Sequence, residues 1–344
     1  MRINNRSIGP KYPVYIVAEM SANHNQNFDQ AVATIKAAKR AGADAIKLQT
    51  YTPDTMTLNC DTKYFKIKGT IWEGQTLYDL YKQAYTPWEW QPKLKKFAEE
   101  IKLDFFSTPF DETAVDFLEE MQVPAYKIAS FENVDLPLIR KVAKTHKPII
   151  LSTGMASLAE IDEAVQTIKQ AGGTKLILLK CTSAYPAPPE EMNLRTIPHL
   201  SKAFGVPTGL SDHSMSLAVP VAAVTLGACV IEKHFTLSRN ELSPDSSFSL
   251  EPSEFKEMVN AVRTAEKAIG EVYYGLTKSE KESRVFRRSL FAVKYIKAGE
   301  KIVSSSIRSI RPGHGLHTRH LNEIIGRRAK KDILPGTPLS WDLV

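Results

Sequence analysis

Two histidines, His213 and His234, stand 21 residues apart, and each follows a short apolar run. The first closes Gly209-Leu210-Ser211-Asp212-His213; the second closes Val230-Ile231-Glu232-Lys233-His234. If these runs are neighbouring strands of a parallel sheet, both imidazoles emerge at the same end of it. Two imidazoles on a concave, polar rim can hold a divalent metal. A lone histidine at a strand end is more often an ordinary hydrogen-bonding group, so the pairing carries the reading.

Three other apolar runs end in lysine: Lys47, Lys127 and Lys180. A lysine buried on a strand is costly unless it meets an anion. Ser107, Thr108, Ser130, Ser152, Ser183 and Ser211 fall at equivalent places. Lysines interleaved with hydroxyls make a cradle for phosphate and carboxylate groups. Any single lysine could instead be a salt bridge at the rim. Strand periodicity puts Lys47 and Gln49 on one face, and Glu232 and His234 on one face. Glu19, Glu132 and Asp245 supply carboxylates, and each could be a general base if burial or a metal tunes its pKa. Spacing alone does not choose among them, and each could equally be a cap or a loop hydrogen-bonding group.

Strand-like runs at 12–19, 44–50, 104–107, 125–128, 148–152, 175–180, 206–210 and 229–234 must position these residues. Helical patterns at 28–41, 88–101, 113–121, 136–145, 158–171, 193–204, 217–226 and 252–269 alternate with them. The strands are short and apolar throughout, as when both faces are buried. Eight strand–helix units over residues 1–270 predict a (β/α)8 TIM barrel, with the site at the C-terminal ends of its strands. An open doubly wound sheet would carry a Gly-x-Gly-x-x-Gly turn after an early strand, and none is present. The segment 51–85 is long for a βα loop and rich in aromatics (Tyr64, Phe65, Trp72, Tyr78, Tyr81), which reads as an ordered lid. A charged connector at 271–288 leads to a small, mostly β module at 289–344.

Composition narrows the function classes. The chain is 43% hydrophobic and 24% charged, ordinary for a soluble protein. The N-terminal residues lack the apolar run of a signal peptide, and the longest uncharged apolar stretch, 217–231, is too short for a bilayer. No membrane association is therefore expected. Three scattered cysteines, Cys60, Cys181 and Cys229, suggest free thiols in a reducing, cytoplasmic setting. Residues 284–344 hold 13 Lys+Arg against 4 Asp+Glu, a bias that could mean nucleic acid. That reading lacks aromatic platforms among the basic residues and leaves the strand-end lysines unexplained, so no nucleic-acid partner is expected.

Six dispersed motifs then point to a family. Ala18-Glu19-Met20-Ser21-Ala22-Asn23-His24, Ala43-Asp44-Ala45-Ile46-Lys47-Leu48-Gln49-Thr50-Tyr51, Tyr126-Lys127-Ile128-Ala129-Ser130, Ser152-Thr153-Gly154-Met155, Gly209-Leu210-Ser211-Asp212-His213 and Ile231-Glu232-Lys233-His234-Phe235 together resemble the sialic acid synthases. The module at 289–344 resembles their antifreeze-like (SAF) domain. The resemblance implies a transferase that condenses phosphoenolpyruvate with an N-acyl amino sugar, giving a nine-carbon 2-keto acid and phosphate. It implies that His213 and His234 bind Mn²⁺ or Mg²⁺. Lys47, Thr108, Lys127, Ser130, Ser152, Ser183 and Ser211 would hold phosphoenolpyruvate. Glu132 would work on water or a proton. Glu19, Gln49, Tyr185 and Asp245 would contact the sugar, with Glu19 also a candidate base. Arg311 would reach the partner's barrel in a domain-swapped homodimer.

Within the family the resemblance is nearest the pseudaminic acid synthase branch, through Lys68-Gly69-Thr70-Ile71-Trp72, Leu77-Tyr78-Asp79-Leu80-Tyr81 and Asp245-Ser246-Ser247-Phe248-Ser249. N-acetylneuraminate synthases have histidine where Ser246 stands. The implied sugar is 2,4-diacetamido-2,4,6-trideoxy-L-altrose, with N-acetylneuraminate and legionaminate synthesis as alternatives. The loop at Asp245-Ser246 is the expected place of sugar choice. Ser183 also departs from the asparagine of many relatives.

Overall fold

Alternation of period two in eight short strands decides the architecture of the first unit. The computed structural model describes residues 1–344, which divide into the units Met1–Gly270 and Glu271–Val344. A hairpin of β1 (Arg2–Ile3) and β2 (Arg6–Ser7) comes first. Eight parallel strands follow: β3 (Tyr15–Glu19), β4 (Ala45–Thr50), β5 (Asp104–Pro109), β6 (Tyr126–Ile128), β7 (Ile149–Ser152), β8 (Leu176–Cys181), β9 (Thr208–Asp212) and β10 (Val230–His234). They close in the order β10-β3-β4-β5-β6-β7-β8-β9, with β9 paired to β10. The expected (β/α)8 barrel is present. All eight strands lie within a few residues of the expected positions.

One face of each strand packs outward under the helices. Ile16, Ile46, Leu48, Phe105, Ile128, Leu151, Leu178, Leu210 and Ile231 belong to that core. The other face lines the barrel, where Tyr15, Val17, Ala45, Phe106, Ala125, Ile150, Ile177, Leu179 and Val230 pack together. Ile3 and Ile8, from the N-terminal hairpin region, join this inner core and floor the barrel. Two residues further along six of the eight strands the inner face changes character: Val17 gives way to Glu19, Ala45 to Lys47, Phe106 to Thr108, Ala125 to Lys127, Ile150 to Ser152 and Val230 to Glu232. The lower barrel is thus a hydrophobic plug, and the upper barrel is a polar, charged chamber. Gly209 is required where β9 approaches its neighbours, since a Cβ there would run into Val230 and Leu179.

The helices start and stop where local chemistry directs. Phe28–Ala41 begins at Asn27, whose side chain accepts from the Gln30 N–H, and ends at Gly42 with φ of 95°. Leu158–Gln170 carries a Ser157–Glu160 capping box. The segment 51–85 is ordered, as its aromatic content predicts, and contains helices Pro53–Met56 and Leu77–Ala84 capped by Thr52 and Thr76. No helix is long and apolar enough to cross a membrane.

The second unit holds a two-stranded antiparallel sheet of β11 (Ser289–Ala292) and β12 (Ile307–Ile310). Leu290, Ala292, Ile296, Ile302, Ile307, Ile324, Ile333, Leu339 and Val344 make its own small core. Helix content is limited to short pieces such as Lys278–Ser283 and Leu321–Ile324.

Candidate active site

The strand register assembles a cradle of paired lysines and carboxylates. Glu19 of β3 lies beside Lys47 of β4, Gln49 beside Thr108 of β5, and Ser211 of β9 beside Glu232 of β10. The Lys47 ammonium is 2.9 Å from Glu19, 3.7 Å from Glu232 and 3.3 Å from the Thr108 hydroxyl. Lys127 donates to the Ser152 hydroxyl at 2.6 Å and to the Ile128 carbonyl at 3.0 Å, and lies 3.7 Å from Glu232. Ser211 donates to Glu232 at 2.8 Å, and Gln49 donates to Glu19 at 3.0 Å. Both lysines are buried, at 4% and 1% exposure.

These charges divide unequally. Burial alone would raise Glu232, but Lys127, Lys47 and the Ser211 hydroxyl hold it below its ordinary range. Burial and the charge of Glu232 lift Glu19, in spite of Lys47. Burial lowers Lys127, with Glu232 opposing. Two carboxylates beside two lysines leave no surplus positive charge in the resting cradle. An incoming dianion can be accepted by protonating or displacing one carboxylate. The Glu19 and Glu232 oxygens nearest Lys47 are buried and meet only its charge, so these are the contacts an anion would displace.

The cradle extends toward β7 and β8 through hydroxyls. The Gly154 N–H donates to Ser130 Oγ at 3.1 Å, and a Cβ on Gly154 would collide with the Ser130 and Ser183 hydroxyls. Glycine there lets two hydroxyls approach bare backbone.

The imidazole rings of His213 and His234 lie 5.3 Å apart, centroid to centroid. His213 Nδ1 donates to the Thr182 carbonyl at 2.9 Å, which leaves Nε2 with the lone pair in the neutral ring. His234 Nδ1 is buried without a hydrogen-bond partner. Burial, His213 and the nearby lysines hold the His234 pKa well below its ordinary value, so this ring is neutral. Burial pulls His213 down too, but Cys181, 3.8 Å away, and the Thr182 carbonyl raise it above its ordinary value. Burial would raise the Cys181 thiol, yet His213, Ser130 and Lys127 bring it down to about 6. The free Nε2 lone pair of His213 and the unpartnered imidazole nitrogen of His234 are two nitrogen donors able to ligate a divalent cation. No group of three or more His, Cys, Asp or Glu side chains converges, so water or substrate oxygens would complete the coordination.

Above the cradle lies a cavity of about 340 Å³ lined by Gln49, Glu132, Tyr185, His234 and Asp245, among others. Glu132 ends a short 3-10 turn, Ser130–Glu132, and its Oε2 is buried without a partner. Burial raises its carboxyl to about 7, with Lys127 opposing. Asp245 is buried, accepts from the Ala22 N–H at 3.4 Å, and is raised by burial.

The barrel therefore brings together Glu19, Lys47, Gln49, Thr108, Lys127, Ser130, Glu132, Ser152, Ser183, Tyr185, Ser211, His213, His234 and Asp245 at the C-terminal ends of its strands. Arg311 lies on the second unit, exposed, with no hydrogen-bond or ion-pair partner. Two expectations need correction. Lys180 falls on the outer parity of β8, between the inner-facing Leu179 and Cys181, and bonds the Cys181 carbonyl and the Thr182 hydroxyl instead of joining the cradle. Ser107 is likewise on the outer face, bonded to Thr50. Glu232, which ties both lysines together, was marked in the sequence only as sharing a face with His234. Its spacing of two residues from His234 on an inner-facing strand was the available signal. The pair Asp212–Lys233 was not anticipated. Its 2.7 Å ion pair is buried and locks the His213 and His234 segments to one another, with Lys233 also donating to the Ser214 carbonyl.

Comparison with known proteins gives concordant findings. A model described as the NeuB family matches residues 34–274, and one for the SAF domain matches residues 287–344. The chain is 47% identical over 339 residues to a pseudaminic acid synthase of Campylobacter jejuni, covering 98% of each. It is 45% identical over 331 residues to a pseudaminic acid synthase of Helicobacter pylori, covering 96% of this chain and 97% of the other. Among solved structures it is similar to the spore coat polysaccharide biosynthesis protein SpsE of Bacillus subtilis, with a TM-score of 0.68, 37% identity, and coverage of 100% and 98%.

Proposed function

The chain belongs to the NeuB family and carries a SAF domain, and from that premise we propose that it makes pseudaminic acid. It condenses phosphoenolpyruvate with 2,4-diacetamido-2,4,6-trideoxy-L-altrose and water, and it releases phosphate. The observation that carries this reading is the stacking of two subsites: a buried Lys47–Lys127 cradle beneath an aromatic-walled cavity that shares His234.

Lys47 and Lys127 hold the enol phosphate and carboxylate, and Thr108, Ser130, Ser152, Ser183 and Ser211 orient it. Gln49, Tyr185, Asp245 and Glu19 position the sugar. His213 and His234 would hold the divalent cation, Mn²⁺ or Mg²⁺, which when bound supplies electrophilic polarisation of the sugar's aldehyde. A carbon–carbon bond forms between C3 of phosphoenolpyruvate and the aldehyde carbon. Water adds to C2 and its proton passes to Glu132, whose carboxyl at about 7 suits proton exchange near neutrality. The aldehyde oxygen takes up a proton as the carbon–carbon bond forms; the bond between C2 and the bridging phosphate oxygen then breaks, and the C2 hydroxyl gives up its proton to the departing phosphate, leaving the 2-keto acid and inorganic phosphate.

A homodimer in which the exposed, unpaired Arg311 of one protomer completes the sugar site of the other belongs to the same proposal. So does a reducing cytoplasmic setting, which three free cysteines support. The test is phosphate release from phosphoenolpyruvate with a panel of amino sugars. Turnover is expected with the trideoxy-altrose. Turnover only with N-acetylmannosamine would overturn the choice of sugar.

A further inference from the structure

Aromatic rings wall the imidazole pair from the segment 51–85. Tyr185 lies 4.4 Å from His213 and 5.0 Å from Phe248, and Phe248 lies 4.9 Å from His234. Trp72 packs behind them, 5.8 Å from Tyr185 and 6.3 Å from Phe248. It is one ring further from the histidines than either. Its indole N–H donates to the Pro244 carbonyl at 2.8 Å, tying the 51–85 segment to the loop that carries Asp245. Met56, Ile67, Leu77 and Leu80 line the same cavity, so this segment contributes a largely apolar wall. The charged and imidazole lining, Glu132, His234 and Asp245, comes from strand ends and other loops, whereas the segment's own polar atoms there are the hydroxyls of Tyr51, Thr70 and Tyr81.

We propose that Trp72 is a specificity-determining residue. Latched to Pro244, it makes an apolar seat for the terminal carbon of the sugar and selects a methyl group there over a hydroxymethyl group. This inference rests on the function proposed above. The reacting aldehyde carbon must lie by His213 and His234, so the far end of the six-carbon chain reaches the wall one ring beyond. A hydroxyl placed against the indole would find no partner on it, because the indole N–H is already engaged. Of the loop Asp245-Ser246, where the sequence placed the choice of sugar, Asp245 lines the cavity but Ser246 is directed elsewhere. Its hydroxyl donates to the Ser243 carbonyl at 3.2 Å and accepts from the Ser243 N–H at 3.3 Å, and it does not line the cavity.

The experiment compares kcat/KM for the 6-deoxy sugar and for its 6-hydroxy counterpart of the same configuration, with the full chain, phosphoenolpyruvate and Mn²⁺. Apolar pockets discriminate such a pair by roughly 10- to 100-fold. Trp72→Ala should cut that preference about tenfold while leaving KM for phosphoenolpyruvate unchanged. Trp72→Phe, which keeps an apolar ring but loses the latch, should retain the preference and raise KM for both sugars. Ser246→Ala should leave the ratio unaltered. An unchanged ratio in Trp72→Ala, or a collapsed one in Ser246→Ala, overturns the inference while the proposed function stands. Absence of phosphate release from both sugars with the unmodified chain overturns the function and the inference together.

Discussion

Replacing Glu132 with glutamine tests the acid–base assignment through two independent signals. Burial lifts this carboxyl from an ordinary 4.5 to about 7. At about 1.4 kcal/mol per pH unit, ionised Glu132 costs the folded state at most about 3 kcal/mol. The sign follows from the direction. Below pH 4.5 the group is protonated in folded and unfolded chains alike, and nothing is lost. As pH rises through 7 the unfolded chain ionises first, and the folded state loses that stability. Glutamine imitates the protonated form, so Glu132→Gln should match the unmodified protein at pH 4.5 and exceed it by up to about 3 kcal/mol at pH 8. Denaturant titrations across this range read the difference. As the base for water, Glu132 must be ionised, so kcat/KM should rise along a limb near pH 7. The variant should lose that limb and about 10²- to 10⁴-fold in rate. A limb that persists in Glu132→Gln, or a stability gain that does not vary with pH, refutes the reasoning.

Three other outcomes are expected. Glu232→Gln leaves two buried lysines sharing only Glu19, so it should destabilise the free protein by roughly 3 kcal/mol, and phosphoenolpyruvate should raise its Tm more than that of the unmodified chain. An equal ligand-induced shift would remove Glu232 from the anion balance. His234→Ala should weaken Mn²⁺ binding at least about 100-fold by calorimetry, and an unchanged Kd would exclude His234 as a ligand. Arg311→Ala should raise KM for the sugar about tenfold or more with KM for phosphoenolpyruvate unaltered. Kinetics identical to those of the unmodified enzyme would exclude a role for Arg311 in the sugar site.

The barrel was legible because its strands are buried on both faces and several of its helices begin at a side chain suited to capping, such as Asn27 or Ser157. Glu19, Lys47, Gln49, Thr108, Lys127, Ser152, Ser211 and His234 reach one chamber for a related reason: a period of two, read from an apolar plug upward, turns inward what stands two places further on, whereas Glu132, Tyr185 and Asp245 arrive on turns and loops that periodicity does not describe. Parity also explains the errors. Lys180 and Ser107 stand one place out of step with the inner face, and a rule that reads only strand ends cannot separate them from Lys127 and Thr108. The two-residue strands of the N-terminal hairpin are too short to show any alternation. The helices at Pro53–Met56 and Leu77–Ala84 had visible caps in Thr52 and Thr76, yet their segment lacks a long apolar period. The direction of the Ser246 hydroxyl depends on the turn from Ser243, which residue types alone do not fix.

The closed floor of the barrel has a kinetic consequence. Ile3 and Ile8 pack into the inner core with Tyr15 and Val17, so traffic to Lys47 and Lys127 passes only through the mouth. The cavity proposed for the sugar lies at that mouth. With phosphoenolpyruvate in the cradle and the sugar in the cavity, as proposed, the deeper molecule must arrive first, and the phosphate it leaves behind departs only after the nine-carbon product has cleared the way. Binding is ordered by architecture: excess sugar should trap the phosphate-bound enzyme and slow turnover.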